Sequence, residues 1–143
     1  MDELLQLREY IDHGQYAEAL ILIGEMEEMS RDDKIQKIES YLQVLLLHLI
    51  KQRVEGRTTR SWDVSIRNAA DAIRRINKRR RVGGHYLDEK ELAEAIDESL
   101  PSAVRLASLE ALEGRYDETE LNARFDSAGL KRDALAIVAS QTG

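Results

Sequence analysis

Cysteine is absent from the 143 residues. Its absence removes disulfides, thiolate metal ligands and a cysteine nucleophile in one step. It also suits a reducing compartment. Proline occurs once, and aromatic residues are few: one tryptophan, one phenylalanine and five tyrosines. Strict apolar/polar alternation and hairpin-spaced turn signals are missing too, so strands are not expected. No apolar run approaches the ~20 residues of a membrane span. The opening M-D-E-L-L-Q-L-R-E-Y has neither a basic n-region nor a long apolar h-region. The expectation is a chain with no signal peptide and no membrane partner, working in the cytoplasm.

What remains is rich in Ala, Leu, Ile, Glu and Arg, a helical composition. A chain of this length defaults to one domain and can bury a core without metal or disulfide support. The predicted fold class is all-α: a single-domain bundle of five to six helices over residues 1–143, with 115–143 as a possible C-terminal helical extension. Its central element is an apolar helix near residues 31–54. There Ile35, Ile38, Leu42, Leu45 and Leu49 alternate spacings of three and four, which lines one helix face. From Val44 to Ile50 the apolar residues spread almost all round. A helix apolar on every side must be enclosed by others.

Around that rod the spacing predicts a first helix from Asp2 to about Asp12, with Leu4, Leu5, Leu7 and Ile11 apolar and Gly14 as its stop. A second should run from about Tyr16 to Met29. Ser30 then reads as the N-cap of the third, with Asp32 and Asp33 in its first turn. This leaves Glu25, Glu27 and Glu28 at a helix C-terminus, opposed to the macrodipole. The fourth helix begins near Ser61, turns Trp62, Ile66, Ala69, Ala70, Ile73 and Ile76 inward, and ends in Lys78-Arg79-Arg80-Arg81. Asp88 and Glu91 form a capping pair for the fifth, whose inward set is Leu92, Ile96, Leu100, Ala103 or Val104, Ala107 and Ala111. Pro101 should kink it rather than split it, and Gly114 should end it. Asp117 and Glu120 repeat the capping pair before a short helix closed by Gly129. A last segment runs from Leu130 to about Ala139.

Charge is segregated along the chain. Residues 51–81 carry 11 basic and 3 acidic side chains, while 1–50 and 82–143 each carry net −7. Such a pattern can steer a protein partner, a second copy or nucleic acid.

Three blocks of residues carry a resemblance. They are G-E-M-E-E-M-S-R, with Glu25, Glu27, Met29 and Arg31; S-Y-L-Q-V-L-L-L-H-L-I-K, with Leu45, Leu46, His48, Leu49 and Lys51; and R-S-W-D-V-S-I-R, with Ser61, Trp62 and Ile66. Together with A-V-R-L-A-S-L-E-A-L they resemble the signature of bacterial domain-of-unknown-function family twenty-nine, over roughly residues 15–114. Gly24 and Gln52 depart from the usual pattern. The resemblance implies an all-helical bundle and no particular activity.

His48, Lys51, Arg60 and Trp62 are the first candidate site. A hairpin around Gly56 would set Lys51 level with Trp62 and His48 one turn (~5.4 Å) deeper. The plainer reading is structural: Lys51 or Arg60 stacks on the indole and His48 bonds within the core. Arg74, Arg75, Lys78, Arg79, Arg80 and Arg81, with His85, are the second, a phosphate-binding patch. Arg79, Arg80 and His85 also loosely resemble an arginine–histidine pattern of helical ribonucleases, although Gly83-Gly84 should break the helix it needs. The plainer reading is that the acidic flanks neutralise this patch. A ferritin-like metal site from Glu25, Glu27 and His48 fails on spacing, since no Glu-x-x-His occurs. No catalytic constellation, metal or cofactor is expected. The expected function is a non-enzymatic protein-binding or assembly module, self-association included, with nucleic-acid binding or a ribonuclease-like activity as the rival.

Overall fold

The computed structural model describes residues 2–79 and 83–139. Among these it shows six α-helices and no strand. The helices are α1 (Glu3–Asp12), α2 (Tyr16–Glu55), α3 (Arg60–Asn77), α4 (Glu89–Glu110), α5 (Glu118–Asn122) and α6 (Ser127–Val138), with a 3-10 turn over Ala111–Gly114. The all-α expectation holds. The chain divides into two compact units, Met1–Lys34 and Ile35–Gly143.

The largest departure from the sequence reading lies at Ser30. No turn forms there, because α2 is one helix of 40 residues. Ser30, Asp32 and Asp33 are residue types that favour a helix start. An N-cap contributes only about 1 kcal/mol, however, and the flanking Glu, Met, Lys and Ile residues carry no helix breaker. Glu25, Glu27 and Glu28 therefore sit in a helix interior, where the dipole penalty does not arise. One consequence is testable. Proline near a helix start is tolerated, but in a helix interior it costs about 3 kcal/mol or more. Ser30→Pro is expected to abolish hydrogen-exchange protection of the amides around residues 30–34. Unchanged protection would restore the two-helix reading.

Unit 2 holds the core. Ile38, Leu42, Leu45, Leu46, Leu49 and Ile50 of α2 pack with Ala69 and Ile73 of α3, with Leu92, Ile96, Leu100, Ala103, Val104 and Ala107 of α4, and with Leu121, Leu130, Ala134 and Val138 of the last two helices. Residues 115–139 thus share this core. The apolar rod near 31–54 is the second half of α2, and its enclosure is incomplete. Val44 is 39% exposed, Tyr41 is exposed beside it, and Leu47 is half-buried. Residues 41, 44 and 48 mark the side of α2 that its neighbours leave open.

Caps and stops explain the remaining boundaries. Thr59 accepts from the Trp62 amide and opens α3. Both predicted capping boxes form, Asp88 with Glu91 and Asp117 with Glu120. Pro101 lies inside one continuous α4, so the helix does not split. The helix ends at Glu110, short of Gly114, because Leu112 and Glu113 both take left-handed backbone. Gly129 does not stop a helix: it lies within α6, and its φ is not positive. α3 ends at Asn77, before the basic run, and Arg80, Arg81 and Val82 lie outside the described residues.

Unit 1 contains α1 and the first turns of α2. Asp2 caps α1, and His13 and Gly14 end it, Gly14 with φ +73. Leu4, Leu5 and Ile11, expected on the inner side of α1, are exposed.

Candidate functional site

The α2–α3 corner is built by Gly56, whose φ of +63 reverses the chain, and by the Thr59 cap. Around them a polar network closes. Gln52 donates to Thr58 Oγ1 at 2.8 Å, and Thr58 donates to Asp63 Oδ1 at 2.7 Å. Glu55 Oε1 pairs with Arg57, while its Oε2 accepts from the Leu112 amide at 3.2 Å. One carboxylate thereby ties the corner to the left-handed turn at Leu112–Glu113. Such backbone costs about 1–3 kcal/mol per residue and persists only where its surroundings hold it.

Trp62 is half-buried at this corner, with two cations over its ring. Lys51 Nζ lies 5.3 Å from the centroid and the Arg57 guanidinium 4.8 Å. Arg60, an expected stacking partner, is exposed, and Arg57 takes that place. Lys51 also pairs with Glu110 at 3.1 Å, and Arg53 pairs with Asp133. His48 is half-buried and bonds through Nδ1 to the Val44 carbonyl at 2.8 Å. A carbonyl only accepts, so Nδ1 is the donor in this bond. The structure brings Lys51 onto Trp62, with His48 one turn away from Lys51 on α2, and Lys51 and His48 Nδ1 are engaged by neighbours within the fold. Lys51 and Trp62 hold the corner together.

The basic residues of α3 fall into two sets. Arg74 turns inward, donating to the Ile137 carbonyl at 2.6 Å and pairing with Asp71. Arg60, Arg67, Arg75 and Lys78 are exposed and hold no ion pair among the described residues. Arg60, Arg67 and Arg75 follow one side of the helix at spacings of seven and eight, and Lys78 stands just past its end in extended backbone. Acidic flanks therefore neutralise only part of the stretch, chiefly through Glu110 and Asp133.

Beyond α3 the chain folds back. Lys78 and His85 form an isolated bridge, and Gly83 and Gly84 both have φ +73. Arg79 stacks over Tyr86 at 5.7 Å. Neither Arg79 nor His85 lies on a helix, so the ribonuclease-like arrangement does not form with this pair. Arg80 and Arg81 lie outside the described residues. The fold-back is pinned by Asn77, which is 3% exposed. Its side chain donates to the Leu87 carbonyl at 2.9 Å and accepts from the Leu87 amide at 2.7 Å. The sequence reading missed Asn77, since a lone Asn before a basic run resembles any helix end.

In unit 1 the apolar side chains outnumber what is buried. Among its described residues only Ala19 and Leu22 are buried, whereas Leu4, Leu5, Ile11, Tyr16, Leu20, Ile21, Ile23 and Met29 are exposed. Tyr16, Leu20 and Ile23 stand at i, i+4 and i+7, which aligns them on one side of α2. Leu4, half-buried Leu7 and Ile11 make a second row at i, i+3 and i+7 on α1. Residues 2–34 carry ten acidic and three basic side chains, net −7. Singly exposed apolar residues are ordinary, but aligned ones mark interaction surfaces. Sequence spacing set Leu4, Leu5, Leu7 and Ile11 on the apolar side of the first helix.

No group of three or more His, Cys, Asp or Glu side chains with metal-binding geometry occurs among the described residues. No helix among the described residues is long and apolar enough to cross a membrane.

The family model described as domain of unknown function DUF29 matches residues 16–125. That span takes in α2, α3, α4 and α5. No curated protein and no solved structure matches the chain.

Proposed function

The chain belongs to the DUF29 family, and we propose that it is a non-enzymatic protein-binding module whose docking face is the exposed apolar side of unit 1. One observation carries the reading: Tyr16, Leu20 and Ile23 form an aligned row, with Leu20 69% exposed. Such a row suits a helix-in-groove contact, in which a partner helix supplies apolar anchors at matching spacing. The net charge of −7 on residues 2–34 selects the partner's chemistry. An amphipathic helix with Lys and Arg along its rim is attracted and oriented. A second copy would bring one acidic unit against another, so self-association is the poorer fit.

The test is photo-crosslinking in the native host, with a photoreactive residue at Leu20 in one strain and at Arg67 in another. The expected product is one discrete protein adduct through position 20. Its purified partner should bind the chain and should lose binding when Leu20 and Ile23 are made charged. Adducts through position 67 alone would overturn the reading.

A second reading rests on the open row of Arg60, Arg67, Arg75 and Lys78. Three cations on one side of a helix, with Lys78 at its end, suit a phosphate backbone. If they engage duplex DNA, log K should fall with log salt at a slope of about −0.9 per phosphate neutralised, near −3 to −4 in all. A fluorescence titration across a salt series reads this directly. No binding at low salt removes the reading.

A further inference from the structure

Gly24 stands in the interior of α2 without a reason inside the fold. Its φ is not positive, so the backbone does not require glycine. A Cβ at this position would meet no heavy atom within 4 Å among the described residues, so no neighbour requires glycine either. Glycine is the poorest helix former after proline. What remains is close approach of another backbone from outside. We propose that a partner's amphipathic helix, flanked by Lys and Arg, crosses α2 at Gly24, seated in a groove between α1 and α2 as the third helix of a bundle. The inference rests on the docking reading and gives the binding mode of that face.

Gly24 belongs to the exposed apolar row. Tyr16, Leu20, Ile23 and Gly24 fall at i, i+4, i+7 and i+8, one stripe of α2. Leu20 precedes Gly24 by one turn and Ile23 adjoins it. The gap left by the missing side chain therefore lies beside two exposed apolar anchors.

The second wall of the groove is α1. Only residues 13–15 separate the two helices, and Gly14 reverses the chain there with φ +73. α1 thus runs back along α2 and is the helix of unit 1 that covers Ala19 and Leu22. The less exposed Gln6, Leu7 and Tyr10 mark the side that α1 turns to α2. Tyr16, Leu20 and Ile23 lie roughly 100° round α2 from Ala19 and Leu22, in the sense in which the chain winds. Leu4 and Ile11 lie roughly 100° round α1 from its inner side, in the same winding sense. Two right-handed helices running in opposite directions carry such rows on the same side of the pair. Leu4, Leu7 and Ile11 therefore line one shallow apolar groove together with Tyr16, Leu20 and Ile23.

A helix seated in that groove covers both rows at once. Packed helices lie ~8–10 Å apart, depending on the side chains at the contact. Glycine permits the closest approach, and Gly24 is the point of this groove that has no side chain. Glu27 and Glu28, one turn further on, add negative charge at that end, which attracts Lys or Arg on the crossing helix.

The experiment is photo-crosslinking in the native host with a photoreactive residue at Leu4, Ile11 or Leu20 in turn, and mass spectrometry of the crosslinked segment. All three positions are expected to reach one segment of one partner, apolar at helical spacing and flanked by Lys or Arg. Gly24→Leu should cut the Leu20 adduct by about tenfold or more, because a side chain then fills the crossing point. The same substitution should keep or raise the melting temperature, since leucine is the better helix former and the position is open. A lowered melting temperature would mean that the fold itself needs the glycine, and would overturn the proposal. An adduct through Leu20 that persists undiminished in Gly24→Leu, or that has no counterpart through Leu4 and Ile11, would overturn the crossing and leave the docking reading standing. A Leu20 adduct to a second copy of this chain, or no adduct through Leu20, would remove both.

Discussion

Replacing Asn77 by alanine is expected to destabilise unit 2 by about 2–4 kcal/mol. The side chain is buried and satisfies both the amide and the carbonyl of Leu87. Alanine would leave two buried backbone groups without partners, each at a cost of about 1–3 kcal/mol. Leu87 is itself in the core, so the fold-back loop cannot swing out to water without losing apolar burial. Asn77→Asp separates the two bonds: it keeps the acceptor for the Leu87 amide and loses the donor to the carbonyl. It also places a charge in a buried position, and should be at least as harmful as alanine near neutral pH. Urea denaturation followed by circular dichroism measures both. A loss below about 0.5 kcal/mol, the range of an inert surface change, would show that the Asn77 bonds do not hold the loop.

The second large effect is on binding rather than stability. Leu20→Glu with Ile23→Glu should leave the melting transition nearly unchanged, within about 0.5 kcal/mol per site, because both side chains are already exposed. Partner binding should fall by about a hundredfold or more, since two apolar anchors are lost and two carboxylates are set, without hydrogen-bond partners, against the partner's apolar stripe. A stability loss comparable to a core substitution would mean that these residues are packed within the chain. Unchanged affinity would move the interface elsewhere.

Much of this fold was legible in the residues. α3 and α4 could be read because their inward residues repeat at helical spacing and their caps are strong: Asp88 with Glu91 forms both bonds of a capping box. Gly14 and Gly56 are true stops with positive φ. The misreadings share a cause. At Ser30 and Gly129 a residue type that can end a helix was taken to do so, while helix formers on both sides kept the backbone helical. Local cap preference is small beside the hydrogen bonds of a continuing helix.

The sites were less legible. Sequence counts revealed the basic middle, but only geometry shows that Arg53 and Arg74 are engaged while Arg67 and Arg75 stand open. Lys51 lies over Trp62, because a hairpin at Gly56 fixes their level. That Arg57 rather than Arg60 stacks on Trp62 depends on the turn itself. Asn77 is a single polar residue in a helical run. Its burial is a tertiary fact with no periodic signal. The apolar residues of unit 1 present the opposite difficulty, for periodicity shows a face and cannot say what covers it.

The account turns on whether a protein covers that face in the cell. Hydroxyl-radical footprinting compares the purified chain with the chain inside its host, reading oxidation at Tyr16, Leu20 and Ile23 and normalising to Val64 and Leu109, two other exposed apolar residues. The prediction is heavy oxidation of all three in the purified chain and marked protection of all three in the cell, with the two reference residues unchanged. Equal oxidation at Tyr16, Leu20 and Ile23 in both settings would contradict it.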